Sequence, residues 1–290
     1  MVGMTLREFL PASIPRRVAA VLGAIALTLI VVARAAAHDT WLMAATNVGR
    51  VGTPFRLDLT SGEVFPADDF AIEPGRVLHA VVRERGVIRA LPRPTTTPRT
   101  LQYAWTPTTA GVATIGIELE PKTLVLAPKL IDEYLGEIDA DSGVRAAWKA
   151  LGDKQKWTES YTKHAMTFVR VTPARPSGKW MADKIWKRPL GLELELVPER
   201  DPTALHGGET LFVRVLRHGV PQAGFPVGAI REGRTKPMFF HTDTAGRAGV
   251  VLDAGGRWLI NGTSLRRSTT GETVWESDFV TATLHVAPRP

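Results

Sequence analysis

His38 is the residue with the most chemical promise in the chain. It follows Ala35-Ala36-Ala37, a small-residue run of the kind a signal peptidase cuts. Cleavage after Ala37 makes His38 residue one and sets a free α-amine beside its own imidazole. Those two nitrogens close a chelate ring on one metal ion through Nδ1. An α-amine, with a reference pKa of about 7.7–8.0, gives up its proton far more cheaply than a lysine. Cleavage after Ala35 instead puts His38 third, where the amine, two amides and the ring offer a square-planar nitrogen site for Cu(II) or Ni(II). Either donor set suits Cu(II), Ni(II), Co(II) or Zn(II) rather than Mg or Ca. The bland alternative is that the alanines are ordinary leader grammar and His38 is incidental.

His241 closes the phrase Phe239-Phe240-His241-Thr242-Asp243, at a strand end entering a turn, and is a second candidate ligand. His164, after Tyr161, is a third; it faces a site or caps a helix. His79 reads as solvent-facing, and His206, His218 and His285 as surface residues. Cysteine is absent, which excludes disulfides, Fe–S clusters, thiolate zinc sites and cysteine nucleophiles together. The chain contains no G-x-S-x-G, Walker loop, dinucleotide glycine fingerprint or H-E-x-x-H. Its carboxylate runs, Asp132-Glu133 and Glu137 to Asp141, read as a solvated helix face. Nothing points to an enzyme.

The elements that must position these residues begin after residue 37. Arg7, Arg16 and Arg17 precede the apolar run Val18–Val32, which at fifteen residues is short of the roughly 20 a membrane span needs. Residues 1–37 therefore read as a signal peptide, which implies export to the periplasm with no stable membrane span after cleavage. Removing four Arg and one Glu takes the formal charge from +7 to +4. That charge is scattered, without basic runs interleaved with aromatics, so no nucleic-acid partner is expected.

The mature chain reads as mostly β: two Ig-like or transthyretin-like β-sandwich domains with a helical insertion. Short alternating runs bounded by Gly and Pro define an N-terminal sandwich over 38–173. Within it, about 128–163 turns helical: Leu130, Ile131, Tyr134, Leu135 and Ile138 share one helix face, 144–151 continues, and 157–163 reads as a third, shorter helix. Residues 174–189 look like a Pro-rich basic linker, where Trp180 and Trp186 suggest an exposed aromatic-basic surface. Residues 190–290 form the C-terminal Ig-like sandwich, opened by the alternation of 190–197. Trp41, Trp105 and Trp258 read as core.

Several phrases in this order resemble one exported bacterial family. They are His38-Asp39-x-Trp41-Leu42, Gly62-Glu63-x-Phe65-Pro66, the run Pro189 to Pro198 followed by Asp201-Pro202, Thr242-Asp243-x-x-Gly246-Arg247, and Gly256-x-Trp258-Leu259-Ile260. The family is the nickel/cobalt uptake, additional periplasmic component, long described as a domain of unknown function. The resemblance implies Ni(II) or Co(II) binding in the periplasm beside a membrane metal importer, with His38 as a ligand. It also implies a second His shortly after the Trp-Leu-Ile strand, where this chain reads Asn261-Gly262-Thr263-Ser264. The site would then recruit His241 or His164.

The expected function is thus non-catalytic binding of Ni²⁺ or Co²⁺, with Cu²⁺ next in order, to assist metal uptake. The first rival is a metal-free structural or interaction module of the cell envelope that recognises protein or glycan. A copper enzyme built on an N-terminal histidine brace is the second, and it needs another His facing the amine.

Overall fold

Aromatic and β-branched residues alternating with polar ones, punctuated by Gly and Pro, build strands over most of the chain. The computed structural model describes residues 38–175, 184–271 and 274–290. The expected signal peptide with its cleavage site, and Trp180 of the expected linker, lie outside the described residues. The strands before the helices are β1 (Asp39–Ala44), β2 (Val48–Arg50), β3 (Phe55–Gly62), β4 (Phe70–Ala71), β5 (Val77–Glu84), β6 (Val87–Ala90), β7 (Thr95–Thr96), β8 (Leu101–Trp105), β9 (Gly111–Leu119) and β10 (Lys122–Leu126). Two helices, α1 (Ile131–Glu137) and α2 (Ser142–Lys149), lead to the long strand β11 (Trp157–Thr172). Then come β12 (Leu194–Pro198), β13 (Glu209–Arg217), β14 (Val220–Pro221), β15 (Pro226–Arg231), β16 (Met238–His241), β17 (Arg247–Leu252), β18 (Gly256–Arg267) and β19 (Val274–Val286).

These strands form three sheets. The middle one runs β16-β15-β18-β19-β11-β9-β5-β6, with β10 and β2 also pairing with β11. One flanking sheet is β1-β3-β8-β7 with β4 beside β3; the other is β12-β13-β14 with β17 beside β13. The chain is mostly β, as expected, with helices between β10 and β11. Strands from both sides of residues 174–189 meet in the middle sheet, where β11 and β19 pair in parallel.

Because side chains alternate across a strand, the long strand β11 of the middle sheet feeds two cores. Met166 and Phe168 of β11, with Val280, Ala282 and Leu284 of β19, join Leu194, Leu196, Val213, Val215 and Val250 in one core. Ala165, Val169 and Val171 of the same β11 join Leu42, Leu57, Leu59, Leu101 and Ile115 in the other. β11 is therefore the shared wall, and neighbours in its sequence look into opposite layers. Trp41, Trp105 and Trp258 are all buried, as expected.

Two local expectations are corrected. Residues 157–163 are not a third helix but the first half of β11, paired with β10 on one side and β19 on the other. Thr, Tyr and Trp favour a pleated surface, and Trp157, Glu159 and Tyr161 fall on one face at period two, which two neighbouring strands reward more than an isolated helical turn does. Trp186 does not form an exposed surface either; it is buried.

Gly116 of β9 lets the chain just before β12 close over the middle sheet. A Cβ there would lie 2.5 Å from Leu190 Cδ2 and 2.9 Å from Leu192 Cδ1, and both leucines are buried. Gly116→Ala is expected to cost about 1–3 kcal/mol by overpacking, read as a lower urea midpoint at unchanged slope.

Candidate functional site

β1 carries His38 at its leading end, beside β3 and β4. The His38 ring stacks on Phe70, with centroids 5.4 Å apart and planes 10° apart, and its Nε2 lies 3.1 Å from Glu63 Oε1. An ionised carboxylate only accepts, so Nε2 carries a proton and in the neutral ring Nδ1 is the lone-pair nitrogen. The backbone is fixed as well: Lys163 Nζ donates to the His38 carbonyl oxygen. Next in sequence, Asp39 Oδ2 accepts from Asn261 Nδ2 at 2.8 Å. Burial holds the Asp39 carboxyl above its ordinary range, against the pull of the Asn261 hydrogen bond and of Lys163 and His38. Glu137, at the end of α1, is pushed up by burial and by the charges of Glu133 and Asp39. Asn261, the first residue of the stretch 261–264 where the resemblance implied a histidine, therefore lies against the residue that follows His38.

Lys163 is the fully buried cation of this region, and desolvation lowers its pKa from 10.5 to about 8. Between about pH 8 and 10 the unfolded chain binds a proton at this lysine that the folded chain has shed. Stability from this group therefore rises with pH through that window, by up to about 3 kcal/mol over the whole shift. Denaturant midpoints from pH 8 to 10 are expected to climb in the native protein relative to Lys163→Met.

His164, one residue on, points into the opposite layer. Its Nδ1 donates to the Phe279 carbonyl at 3.0 Å, so in the neutral ring Nε2 is the lone-pair nitrogen. That Nε2 is buried with no hydrogen-bond partner and stands 3.9 Å from Glu118 Oε2. Glu118, His164 and Glu193 form the one set among the described residues whose three ligand-type atoms all lie within 4.8 Å of one another. His241 is elsewhere again: at the end of β16 its Nε2 pairs with Asp139 Oδ2 at 3.0 Å, and its side chain is 57% exposed.

The three histidines singled out from sequence thus engage three different carboxylates. The set of three around His164 includes neither His38 nor His241. Glu63, Glu118 and Glu193 were not singled out from sequence. Glu63 sat within a recognised phrase, and Glu193 hid in the alternation of the strand that opens the C-terminal half. Asp139, expected on a solvated face, is the partner of His241, and Asp141 caps α2 by accepting from the Val144 amide. His79 is exposed, as read from its strand phase.

A family model described as a domain of unknown function (DUF4198) matches residues 35–264. No curated protein matches the chain. Among solved structures, the D0-D1 domain of intimin is similar at 10% identity and a TM-score of 0.19, covering 83% of this chain and 96% of that one. The D00-D0 domain of intimin stands at 9% and 0.20, covering 86% and 99%. Three N-terminal domains of the bacteriophage RB49 outer capsid protein Hoc stand at 10% and 0.18, covering 86% and 71%. No helix among the described residues is long and apolar enough to cross a membrane.

Proposed function

We propose that this chain, which belongs to the family described as a domain of unknown function (DUF4198), is an exported periplasmic protein that binds a divalent transition metal, Ni(II) or Co(II) first, through its mature N-terminus. The observation that carries this reading is the bond from His38 Nε2 to Glu63 Oε1. A ligating histidine characteristically gives its other ring proton to a carboxylate, which fixes the tautomer and raises the basicity of the donor nitrogen. Here that leaves Nδ1, the nitrogen whose chelate ring with the residue's own α-amine needs no other part of the protein. Phe70 stacked on the ring and Lys163 on the carbonyl hold the donor still before the metal arrives.

Two protein nitrogens leave the remaining positions of the ion to water or to a receiving protein. That suits cargo, held by few ligands and passed on to a membrane importer, better than a resident cofactor. His241, ion-paired and exposed, is not needed by this chelate.

Calorimetric titration of the mature protein with Ni(II) is expected to show about one equivalent bound at the terminus. His38→Ala, or a single residue added before His38, is expected to abolish that uptake. Glu63→Gln is expected to weaken it about 10- to 100-fold, as loss of such an orienting partner does elsewhere. Undiminished binding in either terminal variant would remove the N-terminus from the mechanism, and no metal uptake by the mature protein would leave a metal-free envelope interaction module as the better description.

A further inference from the structure

We infer that Glu118, His164 and Glu193 form a second, internal site for a divalent cation of borderline hardness, Zn(II) or Co(II), in the layer between the middle sheet and the sheet of β12 and β13. This goes beyond the terminal chelate and does not depend on it.

His164 occupies the centre of β11 with a fully buried side chain, and the Phe279 carbonyl forces its tautomer. Its Nε2 lies beside the Glu118 carboxylate and makes no hydrogen bond. A buried imidazole nitrogen without a partner is costly, and such atoms are rare unless something binds them.

The spacing also argues against a plain ion pair. A charge-assisted N–H to carboxylate bond closes to about 2.7–2.9 Å, whereas Nε2 and Glu118 Oε2 stand 3.9 Å apart. Two metal–ligand bonds of about 2.0–2.2 Å place their donor atoms about 3.3 Å apart at a tetrahedral angle and about 4 Å apart at a wide one. The gap is the width of a bridging ion.

The charges agree. Glu118 is buried, and the hydrogen bond it accepts from the Glu193 backbone amide is a long 3.4 Å. Glu193 faces outward to Arg217 at 3.3 Å and to His218 Nε2 at 3.2 Å. Glu118 and Glu193 bring two carboxylates within 4.8 Å of the His164 ring nitrogen, and Arg217 offsets the charge of one of them. One nitrogen with two oxygens falls between the all-nitrogen sets copper favours and the all-oxygen sets of Mg and Ca. His218 sits in the turn after β13 with its side chain 64% exposed and pairs with Glu193, so it marks the solvent end of the site.

The test uses the mature protein with one residue added before His38, so that the terminal chelate is blocked. Titration of this form with Zn(II), and with Co(II) followed by visible absorbance, is expected to show one equivalent bound. His164→Gln and Glu118→Gln, checked for native circular dichroism, are each expected to weaken that binding at least about a hundredfold. Failure of the blocked protein to take up either metal would overturn the internal site, and so would equal affinity and stoichiometry in both folded variants. Failure of the terminal reading shows separately, as identical Ni(II) binding with and without the added residue.

Discussion

Replacing Glu159 by alanine is expected to lower the stability of the protein by at least about 3 kcal/mol and its Tm by about 6–12 °C. The Glu159 carboxylate is wholly buried in β11 and accepts from three side chains: Tyr134 Oη of α1 at 2.8 Å, Trp157 Nε1 at 2.7 Å, and Ser277 Oγ of β19. Burial raises its pKa even though all three hydrogen bonds and the charge of Lys163 pull the other way. Alanine would leave three donors without an acceptor, at about 1–3 kcal/mol each. Glutamine keeps the volume, and the Tyr134 and Ser277 hydroxyls turn to accept from its amide, so Glu159→Gln is expected to lose less than half as much. Differential scanning calorimetry of the two variants decides the matter; an alanine variant within about 1 kcal/mol of native would mean that this carboxylate does not tie α1 to β11 and β19.

The second large effect belongs to Trp275. Its indole is fully buried and stacked on Trp157, with centroids 4.4 Å apart and planes 10° apart. Trp157 in turn meets Tyr134 and Trp148 edge to face, so the aromatic group reaches from β19 through β11 to both helices. Trp275→Ala is expected to cost about 3–5 kcal/mol, as large aromatic truncations in cores do. Trp275→Phe is expected to cost under about 1.5 kcal/mol, because the ring contact survives and the indole N–H it removes is buried without a partner. Glu159 and Trp275 face each other in register across β11 and β19. The combined variant should therefore lose less than the sum of the two single losses. Urea midpoints of the four proteins test this; strict additivity would contradict the packing described.

The parts of this architecture legible in the sequence were those governed by local pattern. The Pro- and Gly-bounded runs 101–105 and 112–119 marked strands, and the spacing of Ile131, Tyr134 and Leu135 marked the core face of α1, where all three are buried. Residues 157–163 misled because Trp157, Tyr161 and their polar neighbours satisfy either period over so few residues. The choice was made by β10 and β19, one of them more than a hundred residues away. The candidate sites followed the same division. His38 stood out because the sequence before it reads as a leader, but its tautomer depends on Glu63, which only the pairing of β1 with β3 brings alongside. Glu118 and Glu193 lie 46 residues before and 29 residues after His164. No spacing rule joins residues that meet only because β9, β11 and the approach to β12 converge.

The proposed metal binding rests on the nitrogen pair expected where the leader is cut. Native mass spectrometry of protein recovered from the periplasm, before and after Ni(II) is added, measures it directly. The expected spectrum shows a chain beginning at His38 or Ala36 that gains the mass of a nickel ion, and loses that gain when a residue is added ahead of the new terminus. A recovered chain that still carries residues 1–35, or a trimmed chain that gains no nickel, would contradict it.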